Sequence, residues 1–306
     1  MHVSRIAYFG PVGTFTEQAA RTFATAEDEL VAAETIPQAL DSVRAGEADA
    51  ACVPVENSVE GAVPATLDSL AESAPLIGVA EALLPVHFSV LTREGVDKIR
   101  TVASHPHALA QVRHWLAENL PGARAVAAGS TAAAAVAVQA GEYDAAVTAP
   151  VAAQHYPLKV LATEVADVRD ARTRFLLMRK APLSLPEPTG ADRTSLVAAM
   201  ANRTGALAAL LTELAMRGIN LTRLDARPNK QNFGEYRFFI DFEGHVAEPR
   251  IADALSALRR RCRDVRFLGS FARADGVRAT IEPSSHNEDF TDAAAWVAAV
   301  QRGEQA

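Results

Sequence analysis

The sequence lacks most of the features that secreted, membrane-bound or nucleic-acid-binding proteins need. Its 306 residues include only two cysteines, Cys52 and Cys262, which are too few for a disulfide framework and fit a reducing, cytoplasmic setting. No run approaches the roughly 20 consecutive apolar residues of a membrane helix, and the first residues show no signal-peptide pattern. The net charge of −7 and the isoelectric point near 5.7 argue against nucleic acid as a partner.

Several common catalytic motifs are missing as well. The sequence has no G-x-x-x-x-G-K-[ST] phosphate loop, no G-x-S-x-G elbow and no H-E-x-x-H pair. His105, His107 and His114 do not have the spacing of a metal site. Cys52 lies inside an apolar run, which favours a buried small side chain over a nucleophile. We therefore expect neither a metal nor a nucleotide.

Short apolar runs alternate with helical patterns over the first 180 residues, which predicts an α/β fold with a mainly parallel sheet. The predicted strands are 5–9, 50–55, 77–81, 88–91, 101–104 and 144–148. The predicted helices are 17–25, 36–45, 64–71, 108–119 and 131–140.

The pattern changes after a stretch rich in proline, at residues 181–190, which predicts a linker. Beyond it the elements follow the order βαββαβ of a ferredoxin-like domain. These patterns predict a first region at 1–181, a linker at 182–193, a second domain at 194–273 and a tail at 274–306.

Polar clusters follow several of the predicted strands of the first region. They are Gly10 to Thr16, Glu56-Asn57-Ser58, Ser104-His105-Pro106-His107 and Gly129-Ser130-Thr131. Each cluster alone is more often a helix cap than a functional group. Together they favour a ligand cleft, because ligands of open α/β sheets bind beyond the carboxyl ends of the strands. Thr173-Arg174-Phe175 adds a hydroxyl and a guanidinium at the start of another apolar strand.

Four segments resemble the signature segments of the prephenate dehydratase family, in the family's order and at its spacing. They are Gly10-Pro11-x-Gly13-Thr14-Phe15, Val53-Pro54-Val55-Glu56-Asn57-Ser58, Ser104-His105-Pro106 and Thr173-Arg174-Phe175. After the linker, Gly205-Ala206-Leu207 matches a motif of ACT regulatory domains. Two departures are visible: Asp225-Ala226-Arg227-Pro228 stands where the family usually has ESRP, and His107 replaces a common glutamine.

The resemblance implies a lyase that converts prephenate to phenylpyruvate, with loss of carbon dioxide and water, in phenylalanine biosynthesis. It also implies a catalytic region with a two-lobed fold like that of periplasmic binding proteins and with the site between the lobes. We expect the lobes at about 1–80 plus 166–181 and at 85–165. No cofactor is implied, because the ring becomes aromatic as the two groups leave.

The resemblance also assigns roles to residues. Thr173 is expected to donate a hydrogen bond to the departing hydroxyl, and His105 either donates to it or packs behind Ser104. Glu56 either supplies a proton or braces its loop. Arg174 is expected to hold a carboxylate bidentately. The expected substrate contacts are Thr14, Asn57, Ser58, Ser104, Ser130, Arg174 and Phe175.

The ACT resemblance implies L-phenylalanine as an allosteric effector, bound where the ACT domains of a homodimer or homotetramer pair. The expected effector-binding residues are Asn202, Gly205, Ala206, Leu207, Asn220, Leu221, Asp225, Arg227 and Pro228. Two alternatives stay open at this point: an arogenate dehydratase, and a cytoplasmic amino-acid sensor without catalysis.

Overall fold

The computed structural model describes residues 4–229 and 235–304 and divides the chain into two units. The first unit comprises Met1–Ser69 and Ala82–Lys180, and the second comprises Leu70–Glu81 and Ala181–Ala306. The segment Leu70–Glu81 therefore groups with the second unit, although it lies in the sequence of the predicted first lobe. The finer domain limits drawn from the sequence remain predictions.

The chain up to Lys180 forms strands and helices in alternation. The strands are β1 (Arg5–Phe9), β2 (Glu29–Ala33), β3 (Ala50–Asn57), β4 (Gly61–Ala62), β5 (Leu76–Pro85), β6 (Ser89–Thr92), β7 (Thr101–Ser104), β8 (Arg124–Ala127), β9 (Ala145–Thr148), β10 (Lys159–Ala162) and β11 (Arg172–Lys180). The helices are α1 (Phe15–Phe23), α2 (Ile36–Ala45), α3 (Pro64–Glu72), α4 (Pro106–Gln111), α5 (Arg113–Asn119), α6 (Thr131–Ala140) and α7 (Ala152–His155).

Two sheets organise the first unit. In one, β1 runs parallel to β2 and β3, and β11 pairs antiparallel with β3. The other has the order β10-β6-β9-β7-β8, with β7 parallel to both β8 and β9. Because parallel strands end at one edge of a sheet, the loops after β1 and β3 lie together, and so do those after β7 and β8.

The composition explains how helices cover these sheets. β3 is buried almost continuously from Ala50 to Val53, as expected of a strand covered on both faces. The alanine-rich helix α6 buries Ala132, Ala134 and Ala135 completely. Small side chains let a helix approach a sheet closely, so the alanine run is part of the core.

The helix predicted at 108–119 is two helices. It breaks at the fully buried Val112 (φ −124°, ψ 14°). The backbone amide of Asp167 donates to the Gln111 carbonyl (2.7 Å), and the Asp167 carboxylate accepts from the amides of His114 and Trp115. A residue far along the chain therefore caps a second helix, which local sequence could not indicate. The short strands β2, β8 and β10 were not predicted either.

The second unit has the predicted ferredoxin-like order. Its elements beyond Lys180 are β12 (Asp192–Ala199), α8 (Ala206–Ala215), β13 (Leu221–Pro228), β14 (Tyr236–Glu243), α9 (Pro249–Arg261), β15 (Asp264–Ala272) and α10 (Asn287–Gln301). The strand order is β13-β14-β12-β15, with every pair antiparallel. Helices α8 and α9 pack on the sheet through a core that includes Leu210, Ile240 and Leu258.

Three findings bear on the expectations from composition. Both cysteines are free and buried. Within residues 4–229 and 235–304, no helix is long and apolar enough to cross a membrane. The same residues hold no cluster of three or more histidine, cysteine, aspartate or glutamate side chains that could bind a metal ion.

Candidate active site

A cavity of about 520 Å³ lies in the first unit and is lined by residues of both lobes. That volume suits a small organic molecule. Six of the predicted site residues line it, and they come from loops that follow β1, β3, β7 and β8 and from the start of β11. They are Thr14, Asn57, His105, Ser130, Thr173 and Phe175.

The first turns of five helices, α1, α2, α3, α4 and α6, contribute to the lining. Thr14 and Ser130 cap α1 and α6 with their side-chain oxygens, and His105 caps α4. A helix N-terminus presents unpaired N–H groups and a partial positive charge, which favour anions. Among the described residues of the lining there is neither lysine nor arginine. Glu60 adds a carboxylate to the lining, so the groups that favour an anion are the backbone N–H groups of the helix N-termini.

Thr173 is oriented by Asn57. The Asn57 side-chain oxygen accepts hydrogen bonds from the amides of Val59 (2.9 Å) and Glu60 (3.0 Å), which fixes the orientation of the amide group. Its Nδ2 then donates to Thr173 Oγ1 at 2.9 Å. Because a hydroxyl has one hydrogen, that bond leaves the Thr173 O–H free to donate into the cavity.

His105 faces the cavity in a form that can donate at neutral pH. Its Nδ1 accepts from the His107 amide (3.3 Å), so a neutral ring carries its hydrogen on Nε2. Burial lowers the pKa of His105, the neighbouring His107 lowers it further, and Glu60 acts in the opposite direction. The neutral imidazole is therefore favoured at pH 7.

Gln111 is a cavity residue that the sequence reasoning missed. It is 6% exposed and lines the cavity, and its Nε2 lies 3.3 Å from Glu60 Oε1. Its Oε1 is buried with no hydrogen-bond partner in the described structure. Such an atom accepts readily from a ligand. The spacing of four between His107 and Gln111 was the available signal, since it places both on one helix face.

Aromatic side chains form the apolar part of the cavity. Phe15 and Phe88 meet edge to face, with ring centroids 5.6 Å apart, and Phe175 is almost fully buried beside them in the lining. Edge-to-face contacts fix ring positions. This wall can hold a six-membered carbon ring while the polar groups address its substituents.

Four predicted site residues lie outside the described lining: Glu56, Ser58, Ser104 and Arg174. Along β11, side chains alternate between faces, so Thr173 and Phe175 line the cavity while Arg174 points away. Arg174 is buried and pairs with Glu56 (3.3 Å).

The two serines make backbone contacts instead. Ser104 is fully buried and donates to the Val147 carbonyl (2.6 Å). Ser58 Oγ accepts from the Arg172 amide (2.9 Å).

A second cavity, of about 160 Å³, lies in the second unit. Its lining brings together three predicted effector residues: Asn202, Ala206 and Leu207. Tyr236 and Phe238 of β14 add aromatic surface. Gly205 caps α8 with φ +77°, a conformation that favours glycine.

The remaining predicted effector residues are placed elsewhere. Leu221, Asp225, Arg227 and Pro228 lie along β13, where the Asp225 carboxylate pairs with Arg223 (2.6 Å). Asn220 lines a different cavity of about 650 Å³. Their part in effector binding stays a prediction.

Comparisons with known proteins agree with this geometry. The family model described as "Prephenate dehydratase" matches residues 6–183, and the one described as "ACT domain" matches residues 194–260. A prephenate dehydratase of Amycolatopsis methanolica is 88% identical, over 99% of this chain and 100% of that protein.

Two solved structures have similar folds. A prephenate dehydratase from Arthrobacter aurescens, crystallised in complex with L-Phe, has a TM-score of 0.91 and 43% identity, over 97% of this chain and 99% of that one. A structure described as a novel type of quorum quenching acylase has a TM-score of 0.78 and 32% identity, over 88% of this chain and 97% of that one.

Proposed function

The chain belongs to the prephenate dehydratase family, and we propose that it converts prephenate to phenylpyruvate with release of carbon dioxide and water. The observation that carries the proposal is the hydrogen bond from Asn57 to Thr173, which leaves a hydroxyl donor aimed into a cavity built for an anion. As a member of this family, the protein is a lyase.

The substrate carries two carboxylates, a ring and a hydroxyl. The helix N-termini capped by Thr14 and Ser130 favour the carboxylates, and the Gln111 side chain offers an amide to the substrate's polar groups. The ring fits the aromatic wall, and the departing hydroxyl faces Thr173. The cavity thus holds each part of the molecule with a different kind of group.

The reaction breaks the bond to the ring carboxylate. The carboxylate leaves as carbon dioxide, and the electron pair of the broken bond enters the ring, which becomes aromatic as hydroxide departs. The hydroxide takes up a proton from solvent and is released as water. An aliphatic alcohol is a poor acid at neutral pH, so Thr173 acts as a preorganised hydrogen-bond donor to the developing charge. The Nε2–H of His105 is the second donor in the cavity. Glu56, paired with Arg174, serves as the brace of its loop.

Arg174 remains a candidate for binding a carboxylate, as the resemblance implies. Its pairing with Glu56 supports a positioning role in the described conformation, because that contact holds β3 and β11 together beside Thr173. Ser58 supports the backbone of β11 at Arg172, and Ser104 supports the backbone of β9 at Val147.

L-phenylalanine is the effector that we propose for the second unit. The support is the small cavity beside Gly205 and the similar Arthrobacter aurescens protein, which was crystallised with L-Phe. ACT domains bind amino acids where two of them pair, so we propose a homodimer or homotetramer.

We propose the cytoplasm as the location of the protein. Its two free, buried thiols suit that reducing compartment.

The similarity to an acylase does not change the proposal. Acyl transfer by a hydroxyl needs a neighbouring base to take its proton. Thr173 Oγ1 instead accepts a hydrogen bond from the Asn57 amide. This arrangement makes the hydroxyl a donor to the ligand and not a nucleophile.

The decisive experiment is turnover of purified prephenate, arogenate and an N-acyl amide by the full chain. We expect phenylpyruvate from prephenate, and little from the other two. The Asn57→Asp variant should lose roughly 30-fold in kcat, because the carboxylate accepts a hydrogen bond from the Thr173 hydroxyl and repels the dianion. Asn119→Asp, on the exposed end of α5, is the control. Absence of phenylpyruvate from the native chain would overturn the proposal, and preference for arogenate would redefine the substrate.

A further inference from the structure

One strand of the chain, β5, has residues in both units. Leu76 to Glu81 belong to the second unit, and Ala82 to Pro85 belong to the first. The strand is uninterrupted over these ten residues. Any shift of its first half along the strand is therefore passed to its second half through covalent backbone.

In the second unit, the start of β5 is held against β15 by a close backbone approach. Gly78 pairs in parallel with Gly269. A Cβ on Gly269 would lie 2.2 Å from the Gly78 carbonyl oxygen, and the φ of Gly269 is +138°. Only glycine fits there, so the backbones of the two strands meet with no side chain between them.

Buried charged contacts fix the same segment. Glu81 and Arg193 form an ion pair with side-chain exposures of 3% and 11%, and Glu81 also accepts from the Ala274 amide (3.1 Å). Arg266 Nη1 donates to the carbonyls of Leu70 (2.7 Å) and Ser73 (2.6 Å). Loss of one partner of a buried ion pair is strongly destabilising, so the Glu81–Arg193 pair resists separation.

Arg193 connects β5 with the small cavity of the second unit. It stands near the start of β12, and β12 runs directly into Met200 and Asn202, which line that cavity. A ligand bound there touches residues that continue the strand carrying Arg193.

The other end of β5 leads directly into the first unit's cavity. Val86 and Phe88 follow β5 and line that cavity. The Val86 amide donates to the Ala171 carbonyl (2.8 Å), two residues before Thr173, and the Phe88 ring packs against Phe15. A shift of β5 therefore moves the aromatic wall and the strand that carries Thr173.

We propose that β5 is the element through which the effector cavity controls the active site. Arg193 fastens the strand itself to the second unit, and Arg266 fastens the chain that leads into it. This inference rests on the proposed regulation by L-phenylalanine. It places the coupling in a stiff strand with fixed ends, the kind of contiguous element that can have two discrete positions.

The test measures binding and response separately, in the full chain. L-phenylalanine binding is measured by calorimetry, and its effect is the ratio of kcat/KM for prephenate with and without saturating effector. In Arg193→Gln and Arg266→Gln, we expect this ratio to move at least fivefold toward one, within the usual 5–150-fold range of allosteric coupling. The Kd of L-phenylalanine should change less than about threefold. Arg217→Gln, another largely buried arginine of this unit that pairs with Glu213 and Asp253, should keep the native ratio.

Two results would overturn the inference. If both variants bind L-phenylalanine and respond like the native chain, β5 is not the coupling element. If the native chain binds no L-phenylalanine, or binds it without a change in turnover, the proposed effector is wrong. The inference about β5 is then wrong as well, because it rests on that effector. The two variants act at opposite ends of the segment, so misfolding of one leaves the other to decide.

Discussion

The two units treat charge in opposite ways. In the first unit, the buried acidic and basic side chains among the described residues are Glu17 and Arg174, and neither lines the cavity. The second unit is shorter but buries more of them: Asp192, Arg193, Glu213, Asp241, Glu243 and Arg250. The unit that must bind a charged substrate therefore has the core with fewer buried charges.

The physical reason is that the first unit has to bind an anion, whereas the charged pairs of the second unit hold its strands and helices in place. A buried cation would need a permanent counterion, and that counterion would compete with the anionic substrate. Helix N-termini and amide groups offer positive potential without a mobile charge. In the second unit, paired charges face one another and fix strands and helices in place. The net charge of −7 thus says nothing about the sign of the potential inside the cleft.

Removing the Thr173 hydroxyl should give the largest effect of single substitutions in the first unit. Thr173→Val keeps the shape of the side chain, and we expect kcat to fall on the order of 100-fold, as when one preorganised donor is lost. Steady-state turnover of prephenate measures it, and Thr173→Ser should recover most of the rate. Thr22→Val, whose hydroxyl contacts a helix carbonyl in α1, is the control. A parental kcat in Thr173→Val would remove the residue from the mechanism.

Neutralising a buried charge should give the next largest effect, on the stability of the second unit. Glu213 pairs with Arg217 (2.8 Å) and Arg261 (2.5 Å). For Glu213→Gln we expect a loss of about 2 kcal/mol in the free energy of unfolding, less than for an isolated buried pair because Arg217 keeps Asp253.

Urea denaturation of the full chain measures that loss. Glu29→Gln, in an exposed pair with Arg5 in the first unit, should cost less than about 0.5 kcal/mol. Equal losses in the two variants would contradict the distinction drawn between the units.

Sequence reasoning could predict the elements and the strand-end clusters, because both depend on local patterns. The ferredoxin-like order of the second unit and the two-lobed fold implied by the family are confirmed. The cavity brings Thr173, Asn57 and His105 together, as the strand-end argument requires. Their chemical roles remain predictions.

What the sequence could not give depends on distant contacts. β3 and β11 shift register between Arg174 and Phe175, so that Thr173 pairs with Asn57 while Phe175 pairs with Pro54. Such a bulge decides which side chains share a face, and no local pattern marked it. Likewise, Asp167 breaks the helix after Gln111 from more than 50 residues away.

Gln111 provides a smaller test of the neutral polar groups that line the cavity. Gln111→Leu keeps the volume but removes the buried amide, and we expect KM for prephenate to rise about tenfold with a smaller change in kcat. Tenfold corresponds to about 1.4 kcal/mol, the scale of one hydrogen bond that Gln111 Oε1 accepts from the substrate hydroxyl. Gln154→Leu on the surface of α7 should leave KM unchanged. A normal KM in Gln111→Leu would mean that its unpaired oxygen does not meet the substrate.

The smallest expected effect concerns pH, because His105 of the first unit should make folding stability fall already in mild acid. The pKa of His105 lies below the ordinary 6.5, because burial and His107 disfavour the cation. As pH falls through 6.5, the unfolded chain gains a proton before the folded one, so folding stability decreases until pH drops below the lowered pKa. In the second unit, Arg273 holds the pKa of Asp275 below 3.8, so that contribution is lost only in stronger acid.

The substitution His105→Asn isolates this difference, since asparagine can still cap α4 but does not titrate. We expect its urea midpoint to fall less than the parental one between pH 7 and pH 5. The exposed His114→Asn should keep the parental dependence. If His105→Asn instead tracked the parent across this range, the mild-acid sensitivity would belong to other groups.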